Sequence, residues 1–378
     1  MSEIELLKKL VEIPSQIGID NEKNISIFLS NLLEQKGFVV KKYEFAPNRP
    51  NIVATYDFNK KGSTIIFNGH MDTMPFYNGE GKNKWNFKPD KLTISNSKLY
   101  GRGTCDMKGG IAAGLSAIFK YIENNYGVGK IVVNLVSDEE NTSLYGTIPL
   151  CEKKLIDGDF VIVLEPTECT VCPKQLGNMF FKTKIKGIGG HTGMPEGKIN
   201  PFDIAYNYID ELKKWTLTKK NENELQPFIN IGHFEGGTAS GTIPTECEMF
   251  WGTRVLPQDS FKDYFDEILN VTETFKLNIP STVELETTLV DSGGTDSFES
   301  KSIYIQHLIE ISKQEENIFP ASCDAAFFQN ILNIPSVVFG PGSLKQAHVS
   351  NEYVSEEQLL KCSKIIYEFL LKVGEFCE

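Results

Sequence analysis

Asn68-Gly69-His70-Met71-Asp72-Thr73-Met74-Pro75 follows directly on Ser63-Thr64-Ile65-Ile66-Phe67. The preceding run is β-branched and aromatic, which reads as a buried strand. An open α/β sheet places its chemistry beyond the carboxyl ends of such strands. Residues two apart on an extended segment share a side, so His70 and Asp72 can face one site. Imidazole can bind a metal through one ring nitrogen and donate its other N–H to a carboxylate. Taken alone, His-x-Asp reads first as a polar loop with a solvated His and Asp, because a metal site needs several ligands.

Other strands end in the same way. Lys130–Val136 is a near-continuous apolar run, as expected of a sheet covered on both faces. It leads into Ser137-Asp138-Glu139-Glu140, where adjacent acids repel one another unless a cation sits among them. Phe160–Leu164 runs into Glu165-Pro166-Thr167, and Ser336–Phe339 runs into a loop that reaches His348. Between these strands, Gly101-Arg102-Gly103-Thr104-Cys105-Asp106-Met107-Lys108-Gly109-Gly110 precedes a helix predicted from Ile111 to about Glu123. Its glycines permit close backbone approach around Asp106, which could alternatively be a plain helix cap. Helices are predicted over 4–12, 21–36 and 355–373. A polar excursion from the sheet covers 77–98.

A different pattern occupies the middle of the chain. Strand Phe180–Ile185, helix 201–215, strands Ile229–Phe234 and Glu246–Leu256, helix 260–275 and strand Thr282–Thr288 give the order β-α-β-β-α-β. That is a split βαβ sandwich, a complete small domain inserted into a larger one. The fold class is therefore α/β: a large domain with a helix-flanked mixed sheet, over 1–176 and 291–378, and a ferredoxin-like α+β domain over 177–290. The inserted part carries a glycine-rich loop, Gly187-Ile188-Gly189-Gly190-His191. It also holds Arg254; the chain's only other arginines are Arg49 and Arg102. Guanidinium suits bidentate binding of an α-carboxylate, with a surface ion pair as the plain alternative.

Size and composition set outer bounds. A chain of 378 residues exceeds one ordinary core, and 40% hydrophobic with 23% charged content is the profile of a globular protein. A formal charge of −12 argues against nucleic acid as a partner. No apolar run approaches the ~18 residues of a membrane span. The first residues, Met1-Ser2-Glu3-Ile4-Glu5, lack the basic and apolar regions of a signal peptide, so a cytoplasmic location is expected. Eight scattered cysteines suit reduced thiols, and Cys169-x-x-Cys172 has no second pair to make a zinc site. His233 and His307 stand outside any motif.

Jointly, Gly69-His70-Met71-Asp72, Gly101-Arg102-Gly103-x-x-Asp106-Met107-Lys108-Gly109-Gly110, Glu139-Glu140, Glu165-Pro166-Thr167, Gly190-His191 and His348 resemble the M20 family of dinuclear zinc aminoacylases and peptidases. The resemblance runs from about residue 5 to the end. It implies that His70 and Glu165 bind one zinc and Glu140 and His348 the other. Asp106 would bridge them, with a cis peptide to Met107. Asp72 would orient His70, Glu139 would be the general acid/base, and His191 would contact substrate and oxyanion. Arg254, Gly342 and Ser343 are the expected substrate-binding residues, and Asp138 a structural neighbour. Two Zn²⁺ per chain are implied, with Co²⁺ or Mn²⁺ as substitutes. A homodimer through the inserted domain is implied too.

Two shorter signatures are Gly340-Pro341-Gly342-Ser343-x-x-Gln346-Ala347-His348-x-x-x-Glu352-Tyr353 and Ser322-Cys323-Asp324-Ala325. They are most similar to members that hydrolyse N-acetylornithine to ornithine and acetate. The expected substrate is thus a small N-acyl amino acid. Desuccinylation of succinyl-diaminopimelate and dipeptide cleavage are the alternatives, and a catalytically inactive metal- or amino-acid-binding protein the remote one. After Gly236-Gly237-Thr238-Ala239-Ser240, many members carry a substrate-contacting Asn where this chain has Gly241.

Overall fold

The computed structural model describes the chain except for residues 78–83, 125–126, 220–224, 258, 291–296 and 376–378. It divides into two compact units, Met1–Lys174 with Glu299–Glu378, and Gln175–Phe298. The expected return to the large domain at residue 291 lies outside the described residues.

The first unit is built on a six-stranded mixed sheet. Its order is Val39–Glu44, Pro50–Asp57, Lys130–Val136, Thr64–His70, Phe160–Val163, Ser336–Val338. The first three strands pair antiparallel, and the last four pair parallel. Every residue of Thr64–His70 after the first is buried, and the same holds for Lys130–Val136. This double-sided cover is what the unbroken apolar runs encode. Register then decides where the polar ends fall. His70 pairs with Val136, so Ser137 to Glu140 emerge beside Met71 and Asp72. Asn68 pairs with Val163, so Glu165 emerges at the same edge.

The helix Lys108–Glu123 packs under this sheet against Glu3–Val11 and Glu356–Glu375. It starts three residues earlier than its apolar periodicity predicts, and its N-cap is Met107, with no side-chain cap from Asp106. Gly109 and Gly110 read as loop by propensity, yet a Cβ on Gly110 would lie 1.9 Å from the Leu164 carbonyl oxygen. Glycine lets the helix touch the backbone that leads to Glu165, and that contact outweighs a propensity cost of about 1 kcal/mol per Gly. Gly103, at φ +81°, also demands glycine: a Cβ would meet the Thr73 methyl at 2.8 Å.

In the second unit, strands Gly177–Lys186, Asn230–Gly236, Glu246–Val255 and Glu284–Leu289 form one antiparallel sheet. Its order is Asn230–Gly236, Glu246–Val255, Gly177–Lys186, Glu284–Leu289. With helices Pro201–Thr216 and Phe261–Lys276 between them, this is the split βαβ arrangement. Gly177–Lys186 alternates buried and less buried residues, as a sheet covered on one face should. Trp251 stacks on Phe181 at 4.4 Å inside that cover. Caps start both helices, Asn200 accepting from Phe202 N–H and Ser260 from Asp263 N–H. The last strand runs two residues beyond its predicted start, over Glu284–Leu289. No helix among the described residues is long and apolar enough to cross a membrane.

Candidate metal centre

His70 closes its strand fully buried. Its Nδ1 lies 2.9 Å from the Asp72 carbonyl oxygen, which can only accept, so Nδ1 carries the proton and Nε2 faces the cluster. Nε2 stands 3.0 Å from Asp106 Oδ1, 3.6 Å from Glu165 Oε1 and 4.0 Å from Glu139 Oε2. The Asp72 carboxylate is 3.7 Å from Nδ1, beyond hydrogen-bond range. It instead accepts from the backbone N–H of Glu139 at 3.3 Å and Glu140 at 3.0 Å. His70 is therefore oriented by the main chain of Asp72, while its side chain fixes the acidic loop.

Asp106 precedes a cis peptide to Met107. Its two oxygens face different histidines, Oδ1 toward His70 and Oδ2 toward His348 Nε2 at 3.3 Å. Glu140 Oε2 lies 2.7 Å from the same His348 nitrogen, and its Oε1 accepts from Met74 N–H at 3.3 Å. His348 sits at φ +62° on a loop after the short helical turn Leu344–Gln346. Six of the residues singled out from the sequence thus converge: His70, Asp106, Glu139, Glu140, Glu165 and His348. Donor atoms of His70, Glu139 and Glu165, and of His70, Asp106 and Glu140, fall within 4.8 Å of one another.

The electrostatics of this cluster call for positive charge. Burial disfavours a charged His70, but Asp106, Glu165, Glu139 and Asp72 outweigh it and raise its pKa well above the usual value. Hydrogen bonds to Asp106 and Glu140 push His348 up to about 11. Burial raises Glu165, with Asp106 adding to it. Asp106 goes the other way: burial would raise it, but His348 and His70 hold it ionised. Imidazole nitrogens among carboxylates form a mixed N/O donor set that fits Zn²⁺, Co²⁺ or Mn²⁺. A carboxylate with one oxygen toward each histidine fits a pair of ions.

Supporting residues were partly missed from sequence. Arg49 makes a fork to buried Glu22, at 2.7 and 3.1 Å, and reaches Asp138 at 2.5 Å. Asp138 is thereby held beside Glu139. Asp324 accepts from Ser143 Oγ at 3.0 Å and Thr147 Oγ1 at 2.6 Å, anchoring the segment after the acidic loop. Glu352 lies buried beneath the turn that carries Asp106. Ser343 donates to Glu168 Oε1 at 2.7 Å, and Gly342 N–H donates to Gln358 Oε1 at 2.8 Å.

His191 and Arg254 belong to the second unit. His191 is exposed, and its Nδ1 accepts from Gly193 N–H at 3.0 Å, which leaves Nε2 as the N–H donor. A two-residue ribbon pairs His191 with Thr242, so Gly241 stands beside the His191 loop and its carbonyl accepts from Thr192 N–H at 3.2 Å. Arg254 is partly buried and donates to Asn178 Oδ1. Among the described residues no carboxylate pairs with it, unlike Arg49 and Arg102. His233 is exposed and His307 buried, and no disulfide joins the described cysteines.

The description of peptidase family M20/M25/M40 matches residues 66–372. The chain belongs to this family. As an M20-family protein it is a metal-dependent hydrolase of amide bonds. It is 28% identical over 335 residues to an acetylornithine deacetylase of Vibrio cholerae, covering 87% of this chain and 86% of that one. A tripeptidase of Staphylococcus aureus superposes with a TM-score of 0.81 at 21% identity, over 99% of this chain and 98% of that one. A dinuclear metal-binding M20 peptidase of Bacillus subtilis superposes at 0.73 with 16% identity, over 99% and 98%. These two likenesses concern the fold.

Proposed function

We propose that this M20-family hydrolase is a dinuclear zinc deacylase that converts N-acetylornithine to ornithine and acetate. The observation that carries the two-ion reading is Asp106, whose oxygens face His70 on one side and His348 on the other. His70 and Glu165 would hold one ion, Glu140 and His348 the other, and Asp106 both. When bound, such a pair supplies a water activated near neutral pH and a Lewis acid for the amide carbonyl. Glu139 takes the proton of the attacking water and returns it to the departing amine. Burial raises the pKa of Glu139, which His70 partly offsets, so its carboxyl can carry that proton. His191 donates from Nε2 to the oxygen that gains charge. Arg254 binds the α-carboxylate, with Gly342 and Ser343 as further substrate contacts.

The deacetylase choice rests on the Vibrio cholerae relative and on the Gly340–Glu352 signature. Desuccinylation and dipeptide cleavage are the neighbouring readings. A homodimer through the second unit, which would bring His191 to a partner's site, completes the proposal. Turnover of N-acetylornithine, N-succinyl-diaminopimelate and dipeptides with Zn²⁺ tests it. N-acetylornithine should show the highest kcat/KM, and a higher value for either competitor would reassign the substrate.

A further inference from the structure

The chain from Gly101 to Asp106 wraps around a carboxylate from far along the sequence. Glu352 is 1% exposed. Its Oε1 accepts from the backbone N–H of Cys105 at 2.8 Å and of Asp106 at 3.1 Å. Its Oε2 accepts from Gly103 N–H at 3.1 Å and from Arg102 Nη1 at 2.9 Å. Arg102 is itself buried, and it also donates to the Val349 carbonyl at 3.2 Å and the Pro75 carbonyl at 3.0 Å. Three loops meet at this ion pair: the one after His70 and Asp72, the turn carrying Asp106, and the segment that follows His348.

His348 needs such support. It lies in neither a helix nor a strand, its side chain is 48% exposed, and its backbone is left-handed. Within four residues of it, Val349 and Glu352 are tied to the Asp106 turn. A carboxylate satisfied by four donors is rigid, because moving it would leave several buried N–H groups unpaired. The pair therefore fixes the main chain on both sides of the 3.3 Å gap between Asp106 Oδ2 and His348 Nε2.

We propose that Glu352, paired with Arg102, is a positioning residue that sets the separation of Asp106 and His348 and so the affinity for the ion they share. This rests on the ligand roles proposed above. Groups that orient metal ligands commonly change metal affinity by about 10–100-fold when altered.

Metal-stripped wild type, Glu352→Gln, Arg102→Lys and the core variant Leu29→Ala are titrated with Zn²⁺ alone by calorimetry and with Co²⁺ by visible absorption. Thermal unfolding is followed in parallel. Wild type should take two ions; if it takes one or none, the dinuclear reading itself fails. Glu352→Gln should retain one ion near wild-type affinity, bind the second about 10–100-fold more weakly, and shift the Co²⁺ spectrum of the second equivalent. Arg102→Lys, which cannot span the two carbonyls and Glu352 at once, should weaken the second ion less. Leu29→Ala, in the core between the helix Lys23–Gln35 and the strands Val39–Glu44 and Pro50–Asp57, should lower the unfolding temperature and keep both ions. Two ions at wild-type affinity in folded Glu352→Gln would overturn the proposal. If that variant does not fold, wild-type second-ion affinity in Arg102→Lys would overturn it, and weakened affinity would support it. Equal weakening in Leu29→Ala would also overturn it, since the effect would then be general destabilisation.

Discussion

Glu139→Gln separates two tasks that adjacent carboxylates can perform. The Glu139 carboxylate lies 4.0 Å from His70 Nε2, whereas Glu140 lies 2.7 Å from His348 Nε2 and Asp106 3.0 Å from His70. Glu139 is thus the looser member of the cluster, close enough to serve a water and less engaged than the ligands. Burial raises its pKa, His70 pulls it back, and Glu165, Asp324 and Glu140 raise it further. A carboxyl shifted toward neutrality is suited to passing a proton. Glutamine keeps the size of the side chain and removes the base. The expected loss in kcat is about 10²–10⁴-fold, or ~2.7–5.4 kcal/mol at ~1.36 kcal/mol per decade. KM and zinc content should stay near wild type. The assay is acetate release from N-acetylornithine, with elemental analysis of the same preparation. If the variant lost an ion and recovered turnover in excess Zn²⁺, Glu139 would be a ligand and its role as base would be refuted.

Three further outcomes follow from the same geometry. Asp106→Asn places an amide NH₂ against one of its two histidines, so it should weaken both zinc ions in calorimetric titration, while His348→Ala weakens mainly one. Arg254→Lys keeps the charge and loses the fork; KM for N-acetylornithine should rise roughly tenfold or more, from a charge-assisted hydrogen bond of ~1.5–3 kcal/mol. The amide-capped substrate should be unaffected, and equal effects on both substrates would remove the carboxylate contact. Mixing inactive His191→Ala with inactive Glu139→Ala chains should restore part of the activity if His191 serves a partner's site, and none if it serves its own chain.

Much of the first unit was legible because parallel strands with both faces covered are unbroken apolar runs. The residues just past such runs are His70 and Asp72, Glu139 and Glu140, and Glu165. Register then brings them together at one edge of the sheet. The early start of the helix at Lys108 was hidden because propensity penalises Gly109 and Gly110, whereas contact with the Thr104 and Leu164 carbonyls requires them. The main-chain orientation of His70 by Asp72 was hidden because a sequence gives no side-chain torsions. Glu352 and Arg102 are 250 positions apart and follow no shared period, so the two signatures that hold them gave no sign that they pair. The ribbon joining His191 to Thr242 is two residues long on each side, too short to show alternation.

Zinc titration of metal-stripped protein, with acetate release from N-acetylornithine followed at each addition, tests the two-ion hydrolase most directly. Turnover should be near zero without metal, rise with added Zn²⁺ and level off at two equivalents per chain. Full turnover after stripping, or a plateau at a single equivalent, would contradict it.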